Sequence, residues 1–484
     1  MVCPGGLTTR NDIMRRLFAT LLLVAFVPAI QAEVRFPSVI GDNMVLQRGE
    51  PVPVWGWDSA GTKVTVSLGD ATVTATAGAD GRWTAYLPSM KAGGPHEISV
   101  KGTSEATIKN VLVGEVWFCS GQSNMEWRVR QSKNAEEEIA NAKHPAIRHI
   151  KFPHRPADNP QADIPSDGWK VCGPDTVAEF TAVGYYFGRF LHKELDVPIG
   201  LLGCNWGGTR IEPWTPPAGF RAVPKLANIA GTLDQFPSRR GNGTIDHQTP
   251  LALYNGMVAP VIPYGIRGAI WYQGESNNGE GMLYYEKMKA LIAGWRATWQ
   301  KPQLPFYYVQ LAPYRYGNRG PEQLAGIWEA QLKTLSVPHT GMAVTVDIGN
   351  RTDIHPKNKQ DVGKRLGLWA LAKDYGRKNL IYSGPLYKGM TAKDKSIVIS
   401  FSHVGDGLVS RDDKPLTHFT IAGKDRKFVE ASAKIVGNTV VVRAPGVKNP
   451  KAVRFGWHQE AEPNLSNKNG LPASPFRTDS WKAE

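Results

Sequence analysis

Cysteine is scarce in this 484-residue chain, with four in all, and none stands in a C-x-x-C pair, so zinc-ribbon and thioredoxin-like chemistry has no basis. No apolar run reaches the roughly 20 residues that a membrane-spanning helix needs. Lysine and arginine outnumber aspartate and glutamate by 57 to 43, yet they are scattered, with no basic block or basic helix. That speaks against nucleic acid as a partner and leaves solubility and a general attraction to anions. Internal repeats, collagen-like tracts and low-complexity segments are also missing, which excludes solenoids and fibrous classes. What is there is 42% apolar and 21% charged residues, enough to bury large cores in about two or three domains.

The first 32 residues read as a secretory signal. Arg15 and Arg16 precede the apolar run 17–30, "IQA" follows, and the charged Glu33 comes next. That is the layout of an export segment cleaved after Ala32, although Ile30 stands where a small residue is usual and Met14 is an alternative start. The expected location is therefore secreted or periplasmic, with no membrane span after removal. Cleavage takes Cys3 with it and leaves Cys119, Cys172 and Cys204, room for one disulfide at most. Cys119 and Cys204 each end an apolar strand-like run and read as small core residues.

Three regions follow. Residues 33–110 alternate in short segments such as "VPVWGW", "KVTVSL" and "ATVTAT", separated by turn clusters such as "RGEP" and "GADG". This predicts an N-terminal β-sandwich-like module. Residues 381–484 repeat the pattern in "SIVISFS", "HFTIAG" and "AVRFGW", a second, C-terminal β-rich module. Between them, residues 111–380 alternate strand-like apolar runs with helical spacing, the signature of a parallel sheet covered by helices. The candidate strands are 111–119, 147–152, 197–204, 266–273, 305–312 and 342–348. Val177, Phe180, Val183, Phe187 and Leu191 recur at helical spacing, as do Met288, Leu291, Ile292 and Trp295, and then Val362, Leu366 and Trp369. The Pro/Gly-rich stretch from about 216 to 250 reads as a long loop.

Ligands of an open parallel sheet sit beyond the carboxyl ends of its strands, so those ends are best read together. They carry "SGQSNM", "NWGGTRIEPW", "GESNN" and "GNRTDIHP". Each alone is ordinary loop chemistry. Together they offer a hydroxyl nucleophile, an imidazole to take its proton, a carboxylate and N–H donors for an oxyanion, which is what acyl transfer requires. A cysteine nucleophile at Cys119 fails on position, inside an apolar strand rather than at the turn.

The stretches "GEVWFCSGQSNMEW", "PIGLLGCNWGGTRIEPW", "IWYQGESN" and "DIHPKNKQDVGKRLG" resemble the motifs of the sialate O-acetylesterase family, a branch of the SGNH (GDSL-like) serine hydrolases. "NMVLQR", "VWGW", "DGRW" and "NLSNKNGLPASPFRTD" extend the likeness over nearly all of the mature chain. Four ordered motifs at matching separations carry more weight than any one of them. The resemblance implies an SGNH-hydrolase, flavodoxin-like α/β/α core flanked by the two β modules, with no metal or other cofactor. Ser123 is implied as nucleophile, His355 as general base, and the Ser123 N–H as one oxyanion donor, with Gly207 or Gly208 at the position of the family's second-block glycine. Two departures stand out. The aspartate falls at Asp353, two before the histidine, because position 352 is Thr; His355 is thus oriented by Asp353, by a backbone carbonyl, or by a distant carboxylate such as Asp347, and a dyad is open. The third block places Ser276 where the pattern has Asn, which leaves Asn277 or Gln273 as side-chain oxyanion donor.

On the substrate side the candidates are Arg210, Trp214, Trp127 and Glu275. Arg210 either meets a substrate carboxylate or forms a salt bridge with Glu212 or Glu275. Trp214 and Trp127 could offer faces to sugar rings. Glu275 reads as a hydrogen-bonding residue rather than an acid or base. The expected partner is an acetylated oligo- or polysaccharide, sialylated or hemicellulosic such as xylan or xyloglucan. The competing reading is a glycan-binding protein with an inert core, against which stand an intact Ser123 and His355.

Overall fold

The computed structural model describes Met1 and residues 33–317 and 320–481. The export segment expected over residues 1–32, with Cys3, lies outside the described residues apart from Met1.

The central sheet has six parallel strands in the order Thr340–Ala343, Phe306–Val309, Gly268–Tyr272, Glu105–Gly121, Ile199–Asn205 and Ile147–Lys151. The two-residue strand Lys170–Val171 adds an antiparallel edge. Residues 111–121 are buried without interruption, as expected of a parallel strand covered on both faces. Neighbouring side chains point to opposite faces, and the rings show what covers each. Trp117 meets Phe187 of the helix Ala182–Leu195, while Phe118 meets Trp295 of the helix Leu283–Thr298. The helix Lys359–Lys373 packs beside Ala182–Leu195, and Gln323–Thr334 beside Leu283–Thr298. The result is a three-layer α/β core.

Three local readings needed correction. The last strand ends at Ala343 rather than 348, because Val344 gives its carbonyl to Arg365 at 2.6 Å instead of to a neighbouring strand. Val177 and Phe180 precede the helix in a short 3₁₀ turn, since Ala182 N–H and the Thr181 hydroxyl are tied back to the carbonyls of Trp127 and Met125. The 216–250 stretch is irregular but not bare: short helical turns there bury Phe220, Val223, Leu226 and Leu233 in a small cluster of their own.

The modules join the core differently. In the N-terminal one, Gly93–Lys101 pairs antiparallel with the first part of Glu105–Gly121, whose second part lies in the central sheet. One strand therefore belongs to both. The C-terminal module has its own core, with Ile397, Ile399, Ile421, Val440 and Phe455 buried. It attaches through Arg454 and Glu322, and through Arg477 and Glu329. Two further ion pairs, Arg315 to Glu460 at 2.7 Å and Arg351 to Glu462 at 2.9 Å, bind it to loops at the carboxyl rim of the sheet.

Candidate active site

The serine turn begins where the central strand ends. Gly121 has φ +136°, and a Cβ there would lie 2.2 Å from the Tyr272 carbonyl oxygen. Only glycine lets the two strand ends close so tightly. Gln122 then donates its N–H to that carbonyl at 2.9 Å, and its side-chain oxygen accepts the Ser276 N–H at 3.2 Å. Ser123 opens the short helix Ser123–Glu126, its hydroxyl 2.8 Å from His355 Nε2. Positions 232 residues apart thus meet at one rim. His355 stands in the loop before the helix Lys359–Lys373 and stacks on Trp127, ring centroids 4.7 Å apart and 13° from parallel. Both residues line an open cavity of about 340 Å³ with Glu126, Arg128, Arg130 and Gln131.

The other side of the imidazole is less regular. Asp353 Oδ1 is 3.7 Å from His355 Nδ1, beyond hydrogen-bond length. The same oxygen accepts the His355 backbone N–H at 2.9 Å. Asp347 is not an alternative, because Arg365 holds both its oxygens at 2.7 Å. Burial lowers the His355 imidazole below its ordinary value, the Lys359 charge lowers it further, and Asp353 opposes both. The balance favours the neutral imidazole.

Among the described residues, no acceptor takes the N–H of Ser123 or of Gly208. The Gly207 N–H is engaged: it donates to Glu126 at 2.7 Å, though a Cβ on Gly207 would sit 3.2 Å from that of Ser123. Burial favours the neutral form of Glu126, but the His154 hydrogen bond, the Lys151 charge and the Gly207 N–H outweigh it and hold the carboxyl at about 2. The two side-chain oxyanion candidates are corrected. Gln273 donates to the Thr209 carbonyl and to Asn277 Oδ1, and Asn277 donates to Glu212 and Glu280. Both are fully buried, so neither is free to meet an oxyanion.

Trp214 is also corrected. It is 0% exposed, gives its indole N–H to Thr209 and packs edge-on against Trp271, so no ring face is open to a sugar. Trp127 does line the cleft, but it serves as the shelf for His355. Trp206 is sandwiched between His154 and His247, each 4.4 Å away. Arg210 is taken up by Glu212 and Glu280, not Glu275, and by the Ser276 carbonyl. Lys287 completes that cluster, 2.6 Å from Glu212 and 2.7 Å from Glu280. Burial works against the charge of Glu212, yet Lys287 and then Arg210 prevail and lower its carboxyl. The cluster locks the "RIEP" loop to the "GESNN" loop. Asn277→Ala, which strands several of these buried partners, should lower stability by about 2–4 kcal/mol, seen as an earlier urea midpoint at unchanged slope.

Sequence reasoning missed Asn124, Glu126 and Lys359. Glu126 and Asn124 stand within three residues of Ser123 and are hidden by the turn. Lys359 was legible: it precedes Val362, Leu366 and Trp369 at helical spacing, which puts it on the buried face. Among the described residues, Cys119, Cys172 and Cys204 are free and buried. Burial pushes the Cys119 and Cys204 thiols far up and Cys172 up to about 12, so none is a poised nucleophile.

Comparison with known proteins fits this geometry. Residues 113–372 match the family model for carbohydrate esterase, sialic acid-specific acetylesterase. The chain is 34% identical to the sialate O-acetylesterase of Rattus norvegicus over 87% of its length and 89% of the relative's. It is 31% identical to that of Homo sapiens, covering 91% and 92%. A crystal structure of a carbohydrate acetylesterase from Xanthomonas citri superposes with a TM-score of 0.86 at 39% identity, covering 93% of this chain and 100% of that one. With the family model matched over more than half the chain and such relatives aligned along most of it, the protein is an ester hydrolase and belongs to the sialic acid-specific acetylesterase family of carbohydrate esterases.

Proposed function

We propose that this protein is an exported carbohydrate O-acetylesterase of the SGNH type that works through an acetyl-enzyme on Ser123. The observation that carries the reading is the 2.8 Å contact between Ser123 Oγ and His355 Nε2 in an open cavity. His355 Nε2 takes the hydroxyl proton as Oγ bonds to the acetyl carbonyl carbon. The tetrahedral oxyanion meets the unengaged Ser123 N–H. The bond from that carbon to the sugar oxygen breaks, and His355 returns the proton to that departing oxygen, which leaves as the free sugar hydroxyl. Water, deprotonated by His355, then bonds to the acetyl carbon, the bond to Ser123 Oγ breaks as that oxygen recovers the proton from His355, and acetate is released.

The substrate class is an O-acetylated sugar, sialylated or hemicellulosic. Arg210, once a candidate for a substrate carboxylate, is already satisfied by two glutamates. The cations that do line the cleft are Arg128 and Arg130, both also paired with Glu179. The test is acetate release from acetylated sialosides and acetylated xylo-oligosaccharides side by side. Release from one of them, inhibited by a serine-directed phosphonate, is the expected result. Release from neither overturns the esterase reading for carbohydrates. Among the described residues no helix is long and apolar enough to cross a membrane, and export is tested by sequencing the N-terminus of the protein recovered from its host.

A further inference from the structure

Two buried polar side chains and one half-buried one beside the Ser123–His355 pair have no task in the reaction just described. Lys359 is 0% exposed and lies in the first turn of its helix, four residues after His355. Its ammonium donates to Asn124 Oδ1 and lies 5.2 Å from the Tyr272 ring centroid and 5.9 Å from that of Trp127. Asn124, also buried, turns its Nδ2 to Glu275 Oε1 at 2.6 Å and to the Ile354 carbonyl at 2.9 Å. Ile354 immediately precedes His355. Among the described residues, the second oxygen of Glu275 accepts no hydrogen bond. An ammonium, an amide and a carboxylate thus form one hydrogen-bonded chain that joins the serine turn, the histidine loop and the "GESNN" loop.

Such a charge is not there for stability, since apolar side chains of the same volume commonly serve a core as well or better. Nor is the histidine held by a close carboxylate, because Asp353 stands 3.7 Å from Nδ1 with its side chain 40% exposed. Orientation has to come from elsewhere.

We propose that Asn124, Lys359 and Glu275 form a positioning unit for the general base: Asn124 fixes the histidine loop through the Ile354 carbonyl, and the Lys359 ammonium opposes protonation of His355. The proposal rests on the reading of Ser123 and His355 as nucleophile and base. The charged groups around His355 are Lys359 from the helix and Asp353 from its own loop, with Glu126, Arg128 and Arg130 sharing the cleft. Lys359 is faced by Glu275 and Asp353, which favour its charge, but burial prevails and brings it down to about 7. His355 titrates below its ordinary 6.5. Over that range Lys359 is still mostly charged, so its repulsion is present where His355 takes up a proton. Removing the charge makes the imidazole easier to protonate, and activity is then lost at a higher pH on acidification.

The test is the acid limb of kcat/KM for p-nitrophenyl acetate in Lys359→Gln, which keeps a donor toward Asn124, and in Lys359→Met, which keeps the bulk and loses donor and charge. Both limbs should move up by about half a pH unit or more, with the plateau kcat lower in Lys359→Met. A Lys359→Gln limb that coincides with the wild-type limb overturns the proposal. So does a wild-type limb at or above 6.5, the ordinary histidine value, a measurement independent of whether either variant folds. Turnover that survives Ser123→Ala sinks the nucleophile assignment; an unmoved limb in an enzyme that needs Ser123 sinks only this inference.

Discussion

Ser123→Ala should lower kcat for acetyl esters by roughly 10⁴-fold or more and leave the fold intact. The substitution keeps the Cβ that lies beside Gly207 and removes the one oxygen that, among the described residues, hydrogen-bonds to His355 Nε2. The backbone N–H groups at the turn remain, so a residual acceleration over water is expected from binding and oxyanion contact alone. Circular dichroism and the urea midpoint should match the parent. Turnover within about tenfold of the parent would remove Ser123 from the chemistry altogether.

His355→Ala should cost about as much, roughly 10⁴-fold, whereas Asp353→Ala should cost about tenfold. The difference follows from geometry. Nε2 of His355 touches the nucleophile at 2.8 Å, but Asp353 lies 3.7 Å from Nδ1, and its partial exposure screens whatever charge it offers. The firmer contact of Asp353 is with the backbone N–H of His355, and losing it loosens the loop without removing a group from the reaction. Steady-state kinetics on the two variants decides the matter: equal losses would mean that a complete Ser-His-Asp triad assembles when substrate binds.

Much of this was legible from the residues. The central strand announces itself through "VLVGEVWFC", since a short, mostly apolar run interrupted by Glu115 alone among charged residues suits a strand covered on both sides, and the histidine loop through its place between a strand and an amphipathic helix. The ends of elements were less legible, because they are set by tertiary bonds: Arg365 ends the last strand by capturing the Val344 carbonyl, and Thr181 breaks a helical pattern by bonding to Met125. The site divides in the same way. Ser123 and His355 are named by the family's motifs, and acyl transfer calls for those residue types at strand ends. Gln273, Asn277 and Trp214 turn out elsewhere because amide and indole groups serve equally well inside a loop-to-loop lock, whereas Arg210 takes the Glu212 salt bridge that was one of its two readings. The sequence leaves the orienting carboxylate open, and neither Asp353 nor Asp347 hydrogen-bonds the imidazole.

The strand Glu105–Gly121 has a consequence for any attempt to isolate the hydrolase. Its first part completes the ladder with Gly93–Lys101, its second part carries neighbours on both sides in the core, and its end delivers the nucleophile. No cut ahead of the core spares this shared beam: trimming the leading module strips one flank from the girder on which Ser123 is mounted. Heat and denaturant should consequently find these two regions melting as a single cooperative body, and catalytic function should disappear in step with both.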